Sequence, residues 1–214
     1  MSLVIFDLDN TLVKGQSQLY LLFYAIKYKK IKAVHALRIF LWFVAYKLHL
    51  VANPNAIVSY SFKKILIDQK TEDIRIFLEN FFREVLKNKF NQNILSKLKE
   101  HQEKKDKVVL LTNALYPLAE IIAKEFKITT FFATQPEAIN GIYTGNLKGN
   151  IVYGEEKVRI IKDYYSQDEI SSGYIYADHH SDLSLMKLAI HPVAVRPDNY
   201  LLEHALKNGW EIIN

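Results

Sequence analysis

A chain of 214 residues, 50% hydrophobic and 24% charged, has the balance of an ordinary globular protein with a core of its own and not that of a disordered one. It contains no cysteine, which excludes disulfides and thiolate-bound zinc or redox centres and leaves any chemistry to oxygen and nitrogen groups. The net charge of +5 suits a phosphate-bearing substrate or an anionic surface, but it is spread along the chain without arginine-rich blocks or nucleic-acid motifs, so no nucleic-acid partner is expected.

The apolar run Leu3-Val4-Ile5-Phe6 opens a short buried strand, read over residues 3 to 8. Asp7 and Asp9 interrupt it before a secretory signal could form, which points to a cytoplasmic protein. From Ser17 to about Leu86 the pattern becomes helical and rich in Leu, Ile, Phe, Tyr and Lys, with breaks at Asn53-Pro54-Asn55 and an N-cap signal at Thr71-Glu72-Asp73. Residues 16–87 therefore read as an inserted helical unit, with 1–15 and 88–214 forming the core around it.

Within that unit the run from Ile39 to Tyr46 is apolar on every helical face and follows Lys27, Lys29, Lys30 and Lys32. A helix apolar all round is usually buried, and Lys32, His35, Arg38, Lys47 and His49 disfavour a membrane span. Burial inside the unit is the first reading, and peripheral contact with an anionic membrane surface, or a groove for a lipid substrate, is the second.

Beyond a helix at about 91–105, strands and helices alternate: a strand Lys107 to Leu111, a helix Tyr116 to Phe126, an apolar segment Phe131 to Ala133, and a hairpin turning at Asn140-Gly141. A helix Glu155 to Tyr165, a strand Gly173 to Ala177, a helix Leu183 to Ala189, a strand His191 to Val195 and a last helix before Trp210 follow. Such alternation predicts an α/β fold with a doubly wound parallel sheet, whose ligand crevice lies at the carboxyl ends of the strands.

Four of the ten aspartates sit at such ends: Asp7 and Asp9 after the first strand, Asp178 and Asp182 in DHHSD after the strand ending at Ala177. Carboxylates this close repel unless a cation compensates them, and hard oxygen ligands without sulfur favour Mg²⁺. Thr112 follows the strand Lys107 to Leu111 and offers a hydroxyl to an anion, while Lys157 offers a compact positive charge to a phosphoryl group, with Arg159 as a neighbouring substitute. His179 and His180, inside the acidic motif, have either a substrate or pH role or a packing role. His35, His49, His101, His191 and His204 lack ligand spacing and read as structural.

Taken together, DLDNTL at 7–12, LLTNA at 110–114, Lys157 in GEEKVRII and DHHSD at 178–182 resemble, in order, the four motifs of the haloacid dehalogenase superfamily. The position of the helical insertion is similar to the cap of its phosphoserine phosphatase-like branch. The resemblance implies a Mg²⁺-dependent phosphomonoesterase. Asp7 would be nucleophile and metal ligand, and Asp9 general acid and base with its backbone carbonyl on the metal. Asp178 would be the further metal ligand, Thr112 and Asn113 would hold phosphoryl oxygens, and Asp182 and Ser181 would orient metal-bound water or Lys157. In phosphoserine phosphatases a glutamate nine residues after the nucleophile holds the substrate amino group. Here that position is Gln16, so a different small phosphorylated substrate is expected, soluble or a lipid phosphate. Phosphoryl transfer to an acceptor alcohol on the same site, and a non-catalytic membrane-docking module, are the alternatives. The oligomeric state is not encoded in any motif.

Overall fold

The structure, a computed structural model, describes residues 1–48, 50 and 55–214. All four residues of β1 (Leu3–Phe6) are buried. Successive side chains of a strand point to opposite faces, so Val4 and Phe6 enter one apolar cluster while Leu3 and Ile5 enter a second. A strand that is apolar on both faces must be covered on both.

Four helices follow β1: α1 (Ser17–Lys27), α2 (Ala33–Lys47), α3 (Asn55–Leu66) and α4 (Thr71–Glu84). A 3₁₀ turn (Leu86–Lys89) leads to α5 (Gln92–Glu103), β2 (Lys107–Leu115), α6 (Tyr116–Glu125) and β3 (Thr130–Thr134). The hairpin β4 (Pro136–Ile139) and β5 (Ile142–Leu147) turns through Asn140 and Gly141 at φ +50° and +77°, the left-handed pair that matches strand twist. It packs on α3, with the Asp68 amide donating to the Tyr143 carbonyl and the Thr71 amide to that of Gly141. The chain ends with α7 (Glu155–Tyr164), α8 (Gln167–Ser171), β6 (Tyr174–Ala177), α9 (Leu183–Met186), β7 (His191–Val195), α10 (Asn199–Asn208) and β8 (Glu211–Ile213).

The main sheet runs β3-β2-β1-β6-β7-β8 with every pairing parallel. The chain winds outward from β1 through β2 to β3, then returns to β1's other side with β6. The order reverses at the β1–β6 pair, and in doubly wound sheets the crevice opens beyond the carboxyl ends of the strands at that reversal. Register Phe6 to Tyr176 brings the two acidic motifs side by side across it, and the Asp7 amide donates to the Tyr176 carbonyl at 3.0 Å.

The two passages between the α1–α4 helices and the sheet run together: the Lys14 amide donates to the Lys89 carbonyl at 2.7 Å and the Asn91 amide to the Leu12 carbonyl at 2.8 Å. Beneath the sheet, the buried His101 bridges Asp106, 2.9 Å from Nδ1, and the Tyr176 hydroxyl, 3.0 Å from Nε2, which is a structural role.

Several local expectations change. β2 does not stop at Leu111 but continues through a register shift to Leu115. Thr71 is the first helical residue of α4, preceded by Lys70, and no side chain caps that end. The helix expected to reach Ala189 is the short α9, entered through a 3₁₀ turn at His180–Asp182. α8 was not anticipated, although Ser166 and Glu169 form its capping box.

The apolar run in α2 is not buried throughout. Ala36 and Ile39 face inward, whereas Leu37 and Leu41 are more than half exposed, because one helix packed on one side of a domain has a single inward stripe. The side chain of Tyr46, together with His49, Asn53 and Pro54, lies outside the described residues. Among the described residues no helix is long and apolar enough to cross a membrane.

Gly173 joins α8 to β6 where the chain passes directly beside β1. A Cβ there would sit 2.7 Å from the Leu3 carbonyl oxygen and 3.2 Å from those of Glu169 and Ile170. All three obstacles are backbone, so none can swing aside. Gly173→Ala is expected to destabilise the fold by about 1–3 kcal/mol, measured by denaturant unfolding, with the loss in midpoint and not in slope.

Candidate active site

The loop after β1 is built to present two carboxylates. Asn10 takes φ +56°, a left-handed conformation that asparagine tolerates, and its amide donates to the Gly15 carbonyl while Val13 donates to Leu8. This tight loop buries Leu8, Leu12 and Val13 completely and leaves Asp7 and Asp9 at the cleft wall. Asp9 Oδ1 accepts the Ser17 backbone amide at 2.6 Å, satisfying an orphan donor at the start of α1, where Gln16 provides no side-chain cap. Asp9 Oδ2 is buried without a hydrogen-bond partner.

Lys157, in the first turn of α7, is 3% exposed. Its ammonium donates to Asp7 Oδ1 at 2.7 Å and to Asp182 Oδ2 at 2.8 Å. Asp182 precedes α9 without capping it, and its Oδ1 is also buried without a partner. Asp178 Oδ2 accepts from the Asn10 side-chain amide at 2.9 Å. Arg159 does not substitute for Lys157; it pairs with Glu156 and Asp163 on the solvent side of α7.

Electrostatics follow from this packing. Burial pushes the Asp7 carboxyl up to about 7, with Lys157 pulling down and Asp182 and Asp9 pushing up. Burial likewise raises Asp9, against the hydrogen bonds from Ser17. Asp178 stands well above the usual carboxylate range, through burial first and then repulsion from Asp7. Burial alone would lower the Lys157 ammonium, but the attraction of Asp182 and Asp7 outweighs it and holds the group above its ordinary value. Four buried carboxylates face one buried ammonium, and two of their oxygens have no partner. That is the donor set and the charge deficit that a hard divalent cation fits.

Asn113 lines the cleft and accepts from the Gln18 side chain at 3.1 Å. Thr112 is fully buried in β2, does not line the cleft, and accepts from the Ala114 amide at 3.1 Å. Gln16 and Ser181 line the cleft, and Ser181 Oγ lies 3.0 Å from His179 Nδ1. His179 also lines the cleft, while His180 Nδ1 contacts Asp198 at 2.7 Å. Tyr20, Arg38 and Arg75 are engaged elsewhere, with the Lys14 carbonyl, the Tyr60 ring, and Glu72 and Glu79 respectively.

The opposite wall comes from α1, α2 and α3 and is mostly apolar, with Leu22, Ile39, Trp42, Phe43, Val58 and Phe62 among its side chains beside the polar Gln18 and Ser61. Sequence reasoning passed over Asn10, Gln18, Tyr153 and Asp198. Asn10 could have been found, since it sits inside DLDNTL and carries a side-chain amide able to donate to a carboxylate of the second acidic motif. Nothing in the spacing marks Gln18 or Tyr153.

Comparison with known proteins agrees with this geometry. Residues 4–187 match the family model of the haloacid dehalogenase-like hydrolases. The chain is 26% identical over 218 residues to a protein named phosphoserine phosphatase SerB1 from Mycobacterium tuberculosis (strain ATCC 25618 / H37Rv), covering 97% of this chain and 68% of that one. It is also 26% identical over 219 residues to a histidinol-phosphatase of Neisseria meningitidis serogroup C (strain 8013), covering 100% and 98%. Among solved structures, a protein of unknown function from Bordetella pertussis Tohama I superposes with a TM-score of 0.89 at 22% identity, covering 100% of this chain and 98% of that one. A substrate-bound phosphoserine phosphatase gives 0.70 at 16% identity, covering 99% and 92%; at these identities the likeness speaks for the fold. With most of its length under one family model, the chain belongs to the haloacid dehalogenase-like hydrolases.

Proposed function

We propose that the protein is a Mg²⁺-dependent phosphomonoester hydrolase working through an aspartyl-phosphate on Asp7. The observation that carries the proposal is the convergence of Asp7, Asp9, Asp178, Asp182 and Lys157 on one cleft at the reversal of the sheet. Residues 16–87 act as the cap over residues 1–15 and 88–214, and the apolar wall from α1–α3 excludes water from the reacting atoms.

An Asp7 carboxylate oxygen attacks phosphorus, and the bond from phosphorus to the ester oxygen breaks. Asp9 supplies the proton to the leaving alkoxide; its raised affinity for protons and its unpartnered Oδ2 suit that duty. Water then attacks the aspartyl-phosphate, its proton passes to Asp9, and the Asp7 carboxylate returns with release of phosphate. Lys157 holds Asp7 in place and neutralises phosphoryl charge, while Asp182 fixes Lys157 from the other side. Asn113, which lines the cleft, holds phosphoryl oxygens, while Thr112, buried behind it and accepting from the Ala114 amide, fixes the turn that carries Asn113. Asp7, Asp178 and the Asp9 backbone carbonyl would hold Mg²⁺, which when bound would supply charge neutralisation of the phosphoryl oxygens. Ser181 and Asn10 orient this set, Asn10 through Asp178.

Asp7→Asn removes the nucleophile and little volume. Mg²⁺-dependent phosphate release from a panel of monoesters should fall by roughly 10⁴-fold or more with thermal unfolding preserved, and retained turnover in this variant would refute the mechanism.

Apart from the four carboxylates at the phosphate end, the cleft has among the described residues no acidic side chain to pair with an ammonium. Phosphoserine should therefore rank low in the panel. Gln16→Glu, which restores a carboxylate at the cleft rim, should raise kcat/KM for phosphoserine by about ten-fold or more relative to neutral esters; a wild-type preference for phosphoserine would sink this specificity reading.

A further inference from the structure

α2 carries two apolar stripes. One, with Ile39, Trp42 and Phe43, faces the cleft. The other consists of Val34, Leu37, Leu41 and Val44 and continues into Leu48 just beyond the helix, all exposed, from 37% for Val44 to 67% for Val34. Spacings of three and four residues put those five side chains on a single line along the outer side of the helix. Phe40 extends the surface to α1, its ring centroid lying 6.2 Å from that of Phe23, which is 51% exposed. An outward stripe of this kind is not the scattered exposure normal for a soluble surface.

The charge around it has one sign. From Asn10 to Ile67 the chain contains no Asp or Glu and nine Lys and Arg. Lys29, Lys30, Lys32 and Arg38, on or beside the two helices, are exposed. At the end of α1, Glu84 of α4 accepts from the Tyr28 hydroxyl at 2.9 Å and lies 3.9 Å from Lys27. A second copy docked through the same face in a two-fold arrangement would set cation against cation, whereas an anionic lipid surface supplies both the apolar layer and the opposite charge. α2 has 15 residues, about 22 Å at 1.5 Å per residue, short of the ~20 residues that a span needs. The geometry fits a helix lying along a membrane, not one crossing it.

We propose that the outer face of α1 and α2 docks the protein on anionic bilayers, with the Val34–Leu48 stripe entering the headgroup boundary and the lysines between the two helices contacting acidic headgroups. The docking surface and the inner wall of the cleft are then two faces of one helix.

The test is co-sedimentation of the full chain with vesicles of phosphatidylcholine alone and of phosphatidylcholine with phosphatidylglycerol. The wild type, Leu37→Glu/Leu41→Glu and Lys29→Gln/Lys32→Gln are compared, with size-exclusion light scattering for oligomeric state. Neither variant touches the cleft, so unchanged phosphate release from a soluble ester reports an intact fold, and vesicle binding is read independently of whether the phosphatase assignment holds. Binding to the anionic vesicles only, salt-sensitive, lost in the Leu double variant and weakened roughly 25-fold by removal of two lysines, is the expected result. Failure to bind anionic vesicles at low salt would overturn the proposal. So would a wild-type dimer that the Leu double variant converts to monomer, since the stripe would then be the seam between two copies.

Discussion

The ammonium of Lys157, buried and shared between Asp7 and Asp182 at 2.7 and 2.8 Å, is the contact on which the rest of the site depends. It joins three elements that the sequence keeps far apart: the loop after β1, the first turn of α7, and the 3₁₀ turn after β6. Removing one member of a buried ion pair typically costs about 3–5 kcal/mol because its partner stays charged and unsolvated. Here the lysine has two such partners. Yet it supplies one positive charge against four carboxylates, and the unpartnered oxygens of Asp9 and Asp182 mark where compensation stops. The protein thus holds an electrostatic debt that folding alone does not settle, the condition under which a metal site and a reactive carboxylate are made from the same residues.

The sheet topology makes this arrangement affordable. Because the order reverses between β1 and β6, two strands whose chain positions differ by more than 160 residues end side by side. Phe6 and Tyr176 stack with ring centroids 4.4 Å apart just below the site, and Tyr176 is braced in turn by His101 and Asp106. Rigid apolar packing beneath the carboxylates opposes the relaxation that their mutual repulsion would drive. The helices α1–α3 meet that rigid half with a wall of aliphatic and aromatic side chains, so charge is concentrated at one end of the cleft and apolar surface at the other.

Much of this was legible in the sequence because it is written in local patterns. An apolar run of strand length that stops at DLDNTL, and another that stops at DHHSD, fix both the buried strands and the positions of their carboxylates. Lys157 was legible through motif order, and its true constraint, the bridge between Asp7 and Asp182, is tertiary. What escaped was decided by packing: the extension of β2 past Thr112, set by pairing with β3, and the two-sided apolar character of α2, which periodicity could not divide into an inner and an outer face. α8 escaped for a different reason. Its capping box at Ser166 and Glu169 was in plain view, but five residues of helix leave too little periodicity to notice.

The four buried carboxylates carry more negative charge than the Lys157 ammonium balances, and thermal unfolding with and without Mg²⁺ across pH tests most directly whether a divalent cation makes up the difference. Asp7, Asp9 and Asp178 all have raised proton affinities in the folded protein, Asp7 from 3.8 to about 7. The folded state therefore holds protons that the unfolded chain has already released, and the metal-free protein should lose stability as pH rises from about 4 through about 7. In the proposed mechanism Mg²⁺ would bind the ionised carboxylates, so its stabilising effect should be small at pH 5, grow through that window, and reach several degrees at pH 7.5, diminished in Asp178→Asn. An equal Mg²⁺ effect at pH 5 and 7.5, or none at pH 7.5, would contradict the account.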